Sequence, residues 1–239
     1  MRNFLPPIAL LFLVGCAGNS PRPVSNQQTV DKVLDAAIQA NLPDVALRIS
    51  SEQVDRNPND ATALVRQASA YRAMGRDTAA EAAYIRALAI NPDNAPAQLG
   101  IGTLKLHSDP AAAETAFRRV LARQAQNPVA LTGLGIARDL QGDHQAAQTA
   151  YHAALAAQPD LRAAQINLGL SLALSGKSAE AVGLLQSAAD EPQATRRERD
   201  DLAVAMVGAG RIEEARRILG EEMSDEDARR TIAAYRMLF

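Results

Sequence analysis

Residues able to do chemistry are few in this chain of 239 amino acids: it has one cysteine, three histidines and no tryptophan. Two pairs, Gly100-Ile101-Gly102 and Gly133-Leu134-Gly135, have the spacing with which a glycine-rich loop admits a dinucleotide phosphate. That chemistry needs a strand before the loop. Both pairs instead sit in stretches of helical pattern, where a missing side chain lets two helices approach. His144 and His152 are spaced to share one helical face, as two metal ligands would, but no third ligand accompanies them and a surface position is expected. No serine elbow, metalloprotease histidine pair or facing pair of carboxylates stands in the sequence, so nothing converges as acid, base or nucleophile. The reading is of a chain that is not an enzyme and needs neither metal nor cofactor. The run Thr195-Arg196-Arg197-Glu198-Arg199-Asp200-Asp201 mixes charges at a helix start. A solvated, ion-paired face is expected there, with an interaction patch as the alternative.

The cysteine is placed where one chemistry explains it. Arg2 precedes an apolar run from Phe4 to Val14, and Leu13-Val14-Gly15-Cys16 follows, the order of a secretory signal peptide. The run is shorter than the ~20 residues that cross a bilayer. Its end resembles a bacterial lipobox, which implies cleavage after residue 15 and lipid attachment to the Cys16 thiol. An ordinary cleaved signal with an incidental cysteine is the alternative. Residues 16–26 are rich in Ser, Asn, Gly and Pro, the composition of a flexible tether. At ~3.3–3.6 Å per residue it reaches at most about 40 Å, which keeps the folded body near the membrane. Ala17 after the cysteine, in place of Asp, resembles outer-membrane lipoproteins of Gram-negative cells and implies a periplasm-facing, lipid-anchored location.

Composition narrows the remainder. The chain is 47% hydrophobic but only 3% aromatic, so its core is built from small residues, and alanine favours helices above other elements. The net charge of -2 gives no basic face for nucleic acid.

A repeat then sets the architecture. Leu134, Gly135, Gly142, Ala147, Tyr151 and Ala154 recur as Leu168, Gly169, Gly176, Ala181, Leu185 and Ala188, and again in part as Leu202, Ala203, Gly210, Ala215 and Leu219. Ala68, Gly75, Ala80, Tyr84, Ala87 and Pro92 repeat the pattern earlier. A period of about 34 residues with this residue set resembles the tetratricopeptide repeat. The expected fold is all-α: a right-handed superhelical solenoid of about six helix pairs over 27–60, 61–94, 95–127, 128–161, 162–195 and 196–223, plus a capping helix over 224–239. The six units together span 27–223.

Each unit has a physical logic of its own. The alanines at 46, 80, 113, 147, 181 and 215 stand where two antiparallel helices cross, and bulk there would hold them apart. Gly75, Gly142, Gly176 and Gly210 fall between the helices, where a residue tolerant of positive φ ends the first one. Pro58, Pro92 and Pro159 close second helices. The third unit lacks one residue and has Ala125 in place of that proline, so its geometry departs from the others. In the tail, Ser224 and Asp227 suggest a capping box, and Ala228, Ile232, Tyr235 and Phe239 form one apolar stripe. That stripe covers the last repeat or, alternatively, binds a partner.

In the tetratricopeptide family the first helix of each unit lines an inner groove. The resemblance places Val65, Ser69, Leu99, Thr103, Leu106, Thr132, Ile136, Ile166, Leu170 and Val204 there, with Arg72, Asp139, Ala173 and Val207 at the third groove position. Neither Lys nor Asn occupies the sites with which some members grip a terminal carboxylate. An amphipathic or hydrophobic protein segment fits such a groove, and packing between neighbouring units is the alternative use of these residues. No small-molecule substrate is expected.

A lipid-anchored, alanine-rich array of about six such repeats is similar to the TadD-type assembly lipoproteins of tight-adherence (Flp) pili. That resemblance implies a pilotin-like factor that helps deliver or stabilise an outer-membrane secretin. A type IV pilus pilotin and an accessory factor for outer-membrane protein assembly are alternatives, and a cell-wall hydrolase lipoprotein is a remote one.

Overall fold

The computed structural model describes residues 27–239. The signal peptide over 1–15, Cys16 and the tether over 16–26 lie outside the described residues. Among the described residues the chain is helical, with no strand. Six antiparallel pairs follow one another: α1 Gln27–Gln39 with α2 Pro43–Arg56, α3 Ala61–Ala73 with α4 Asp77–Ile90, and α5 Ala95–Lys105 with α6 Pro110–Arg123. Then come α7 Pro128–Asp139 with α8 His144–Ala157, α9 Arg162–Leu174 with α10 Ser178–Ala189, and α11 Arg196–Gly208 with α12 Ile212–Gly220. A last helix, α13 Asp225–Tyr235, ends in a short 3-10 turn, Arg236–Leu238.

Local chemistry explains the helix ends. Asp60, Asn94, Asp109, Asn127 and Asp143 each accept a bond from a backbone N–H of the first turn they precede. Gly75, Gly142, Gly176 and Gly210 have φ of 68°, 81°, 83° and 74°, a region costly for a residue with a Cβ. In the first pair Asn41 takes that conformation, with φ 52°. The third pair has no such glycine. Its missing residue falls in the turn, so α5 stops at Lys105 and the turn over 106–108 follows, with Leu106 still in helical conformation.

Small residues hold the helices close. The crossing alanines Ala46, Ala80, Ala113, Ala147, Ala181 and Ala215 are all buried. The Gly-x-Gly pairs act as seats for rings. A Cβ on Gly100 would fall 2.2 Å from the Tyr84 ring, one on Gly135 2.3 Å from Tyr151, and one on Gly133 2.4 Å from Phe117. Phe117 also meets Gly102 of its own pair, where a Cβ would lie 2.7 Å away. Thus the first glycine of each pair receives a ring from the preceding unit and the second receives the ring of its own unit.

The tail covers α11 and α12, with Ala228 and Ile232 buried and Tyr235 half-buried. Two details differ from the sequence expectation. The Ser224 hydroxyl accepts from the Asp227 N–H and donates to the Asp227 carboxylate, whereas the full capping box forms at Thr195 and Glu198. The stripe also breaks after Tyr235: the 3-10 turn redirects the chain, leaving Phe239 half exposed with its ring beside Gly208.

Candidate functional site: a cleft on the inner face

A cleft of about 380 Å³ opens between the first helices of the third to sixth pairs. Leu106, Ile136 and Ile166 supply much of its apolar lining, and Asn167, Arg197, Glu198 and Asp201 its polar lining. The early end of α5 brings Leu106 and His107 to its rim.

The candidate groove residues divide among several surroundings. Leu106, Ile136 and Ile166 come together in the cleft, half-buried, each packed on a core cluster beneath. Val65 packs on the cluster of Val54, Leu64 and Tyr84 between the first and second pairs, and Leu99 on that of Phe117. The Ser69 hydroxyl meets Tyr84 Oη at 3.2 Å. Thr103 is exposed and donates to its own helix at Leu99 O. Leu170 is half-buried and does not line the cleft. Two candidates present almost no surface: Thr132 is 7% exposed, its hydroxyl turned back to Pro128 O, and Val204 is 6% exposed. Ala173 and Val207 are likewise buried, so the third groove position points into the core in the last two pairs.

Electrostatics distinguish the polar wall. Glu198 is clasped by Arg162, with Nε–Oε1 at 2.7 Å and Nη2–Oε2 at 3.0 Å, and it accepts the Thr195 N–H at 2.7 Å. The Arg162 hydrogen bond holds its carboxyl down to about 2. Arg162 also reaches Glu191 and Ala188 O. Asp201 is 9% exposed, its Oδ2 has no hydrogen-bond partner, and burial pushes its carboxyl up. The segment from 195 to 201 is only in part the solvated, ion-paired face its composition suggests: Arg196 and Arg197 are exposed and Arg196 and Arg199 pair with Glu222, whereas Glu198 and Asp201 are both buried. A helix entering the inner face exposes its first turn to the neighbouring pair, which charge pattern alone does not convey. The available signal was register. Asp201 and Asn167 stand sixth in their units, where the third and fourth units carry Gly100 and Gly133.

A second polar cluster has the residue types of a catalytic triad but not the arrangement. Asp139 Oδ1 accepts the Ser171 hydroxyl at 2.7 Å and lies 2.8 Å from His144 Nδ1, while Oδ2 accepts the Tyr151 hydroxyl at 2.8 Å. A nucleophilic serine would donate to the imidazole, with the carboxylate behind it. Here serine and histidine both address the carboxylate, and Ser171 is fully buried. Burial, then the adjacent Asp139, pushes the Tyr151 hydroxyl well above its usual range. The cluster ties α7, α8 and α9 together, and His144 belongs to it, half-buried, in place of the expected surface position. Among the described residues no group of His, Cys, Asp and Glu side chains is gathered to hold a metal ion.

Tetratricopeptide-repeat family models match residues 61–94, 107–147 and 141–195, together more than half of the chain. The chain belongs to the tetratricopeptide-repeat family. No curated protein matches it. Among solved structures it is similar to PilW, a widely conserved type IV pilus biogenesis factor, at 19% identity and TM-score 0.68, over 87% of this chain and 94% of that one. A tetratricopeptide repeat protein from Parabacteroides merdae is similar at 16% identity and TM-score 0.67, over 90% of this chain and 86% of that one. YrrB, a tetratricopeptide protein with an unusual peptide-binding site, is similar at 17% identity and TM-score 0.58, over 76% of this chain and 97% of that one. At these identities the likeness is one of fold. As a tetratricopeptide array, the chain is a scaffold for protein partners.

Proposed function

We propose that this chain is an outer-membrane-anchored, periplasm-facing tetratricopeptide adaptor with a pilotin-like role in assembling the secretin of a tight-adherence (Flp) pilus or a related secretion system. The observation that carries the binding part is the cleft, where three half-buried aliphatic side chains from successive pairs are gathered beside a polar wall. Such a surface fits an extended or helical segment with apolar anchors. The anchor part rests on Cys16 and the segment before it, and the pilus part on the family resemblance. The fold shared with PilW favours a type IV pilus pilotin as the second reading.

Crosslinking in isolated envelopes, with the Cys16 anchor intact, tests the whole proposal. The expected captured protein is a secretin. Ile136→Glu should abolish its capture while thermal unfolding stays close to the wild type, and Cys16→Ser should move the chain from the membrane to the soluble fraction. Undiminished capture by a folded Ile136→Glu chain would refute the cleft as the binding surface.

A further inference from the structure

Most charges at the start of α11 are committed to partners. Glu198 is held by Arg162, and both Arg196 and Arg199 by Glu222. Arg197 is exposed and has no ion-pair partner among the described residues, and Asp201 is the buried exception. It lines the cleft, is more than nine-tenths buried, and has an Oδ2 that accepts no hydrogen bond. Arg197, one turn back, acts on it through its charge and not through a hydrogen bond. A buried carboxylate oxygen without a donor is destabilising. The repeat does not require it, since the same position holds glycine at Gly100 and Gly133. Among the described residues the other buried side-chain oxygen without a partner is Gln53 Oε1, which belongs to a neutral amide whose Nε2 donates to Asp31 Oδ1, while Gln98 donates to Pro92 O, Gln148 to Ser171 O and Ser175 Oγ, and Ser50 to Ala46 O.

We propose that the cleft takes a protein segment carrying an apolar side chain beside a lysine or arginine, the apolar group on Leu106, Ile136 and Ile166 and the cationic head donating to the Asp201 carboxylate where it lines the cleft. This deepens the adaptor reading and rests on it. Charge complementarity selects the occupant. A cation supplies the opposite charge and an N–H donor to the part of the carboxylate that lines the cleft, and such a charge-assisted bond is among the stronger ones a partner can offer. A segment ending in a carboxylate would meet Asp201 as a like charge. The aliphatic lining lies beside the acid, so the methylene stem of the basic residue can cover apolar surface while its head is bound.

The test uses the full chain in detergent and a set of short, dye-labelled peptides blocked at both ends. Each carries a leucine pair, with lysine, norleucine or glutamate at varied spacing from it. The lysine peptide of best spacing should bind at least about tenfold more tightly than its norleucine counterpart, and the glutamate peptide more weakly still. Asp201→Asn should erase the lysine preference and leave the norleucine peptide unchanged. The same variant, without peptide, should melt at a higher temperature than the wild type, because it removes a buried charge. A lower melting temperature would assign Asp201 a structural role and overturn the proposal. Absence of lysine-peptide binding, equal binding of the lysine and norleucine peptides, or a preference that survives in Asp201→Asn would also overturn it. The two readings fail separately. Secretin capture lost in Ile136→Glu but intact in Asp201→Asn leaves the adaptor reading standing and ends this one.

Discussion

Gly133→Ala tests whether the ring-and-glycine packing organises the solenoid. In an unobstructed helix this change is favourable, since alanine exceeds glycine in helix propensity by ~0.8–1.0 kcal/mol. Here the new Cβ would lie 2.4, 2.5 and 2.8 Å from three atoms of the Phe117 ring. The closest contact is roughly 1 Å inside the ~3.5–4.0 Å at which carbon atoms attract. The ring has little room to retreat, being 2% exposed and facing Gly102 on another side at a similarly close distance. Overpacking of this kind costs ~1–3 kcal/mol. A caged ring belongs at the upper end, so the net expectation is a loss of about 1–2 kcal/mol after the propensity gain. Gly183→Ala is a matched control. It lies in α10, and a Cβ there would meet nothing within 4 Å, so the same chemical change should stabilise by about 0.5–1 kcal/mol. Urea unfolding followed by far-ultraviolet circular dichroism suits a helical chain without tryptophan. Adding Phe117→Leu should make Gly133→Ala less costly than it is alone. A Gly133→Ala chain as stable as the Gly183→Ala chain would refute the packing argument.

Two further outcomes follow from the polar clusters. Asp139→Ala strips the acceptor from Ser171, Tyr151 and His144 together and should cost about 3 kcal/mol in urea unfolding, and a loss below about 1 kcal/mol would show that water replaces the carboxylate. Glu198 has its folded-state pKa lowered to about 2 from 4.5, so the stability it contributes is present above about 4.5 and is lost as pH falls toward 2. Arg162→Ala should therefore melt below the wild type at neutral pH, with the gap closing between pH 4.5 and 2, and a gap that persists at acid pH would mean that Arg162 stabilises by packing alone.

The all-helical solenoid was legible because its determinants are steric and recur. Alanine at each crossing, glycine in the turns and proline after second helices leave few other ways to pack the chain. Family register put Leu106, Ile136 and Ile166 on the face where the cleft lies. It did not foresee that Thr132 and Val204 would be buried, because how much of a first helix stays open depends on its neighbours, and the closing tail changes that locally. Asp201 was missed for a related reason. Charge alternation reports solvent only when the helix start is free, and α11 begins against α9. His144 and Ser171 give no hint in sequence of sharing one carboxylate, since that contact joins three helices from two units.

The seating of rings on glycines is uneven, and this has a mechanical consequence. Tyr84 against Gly100 and Phe117 against Gly133 each key one pair into the next, whereas Tyr151 is seated only on Gly135 of its own unit and Leu185 only on Gly169. In a solenoid whose stability is a sum over nearest neighbours, each junction depends on what crosses it. The junctions from the second pair to the third and from the third to the fourth are thus keyed by a ring, whereas the fourth and fifth pairs are joined by the cluster of Asp139, His144 and Ser171 and by a continuous core that runs on to the tail. The cleft straddles that change of junction, with Leu106 and Ile136 on the ring-keyed side and Ile166 and Asp201 beyond it. Its width is consequently set by a steric key on one side and a hydrogen-bonded cluster on the other, so a change at either junction would alter the spacing of the side chains that line it.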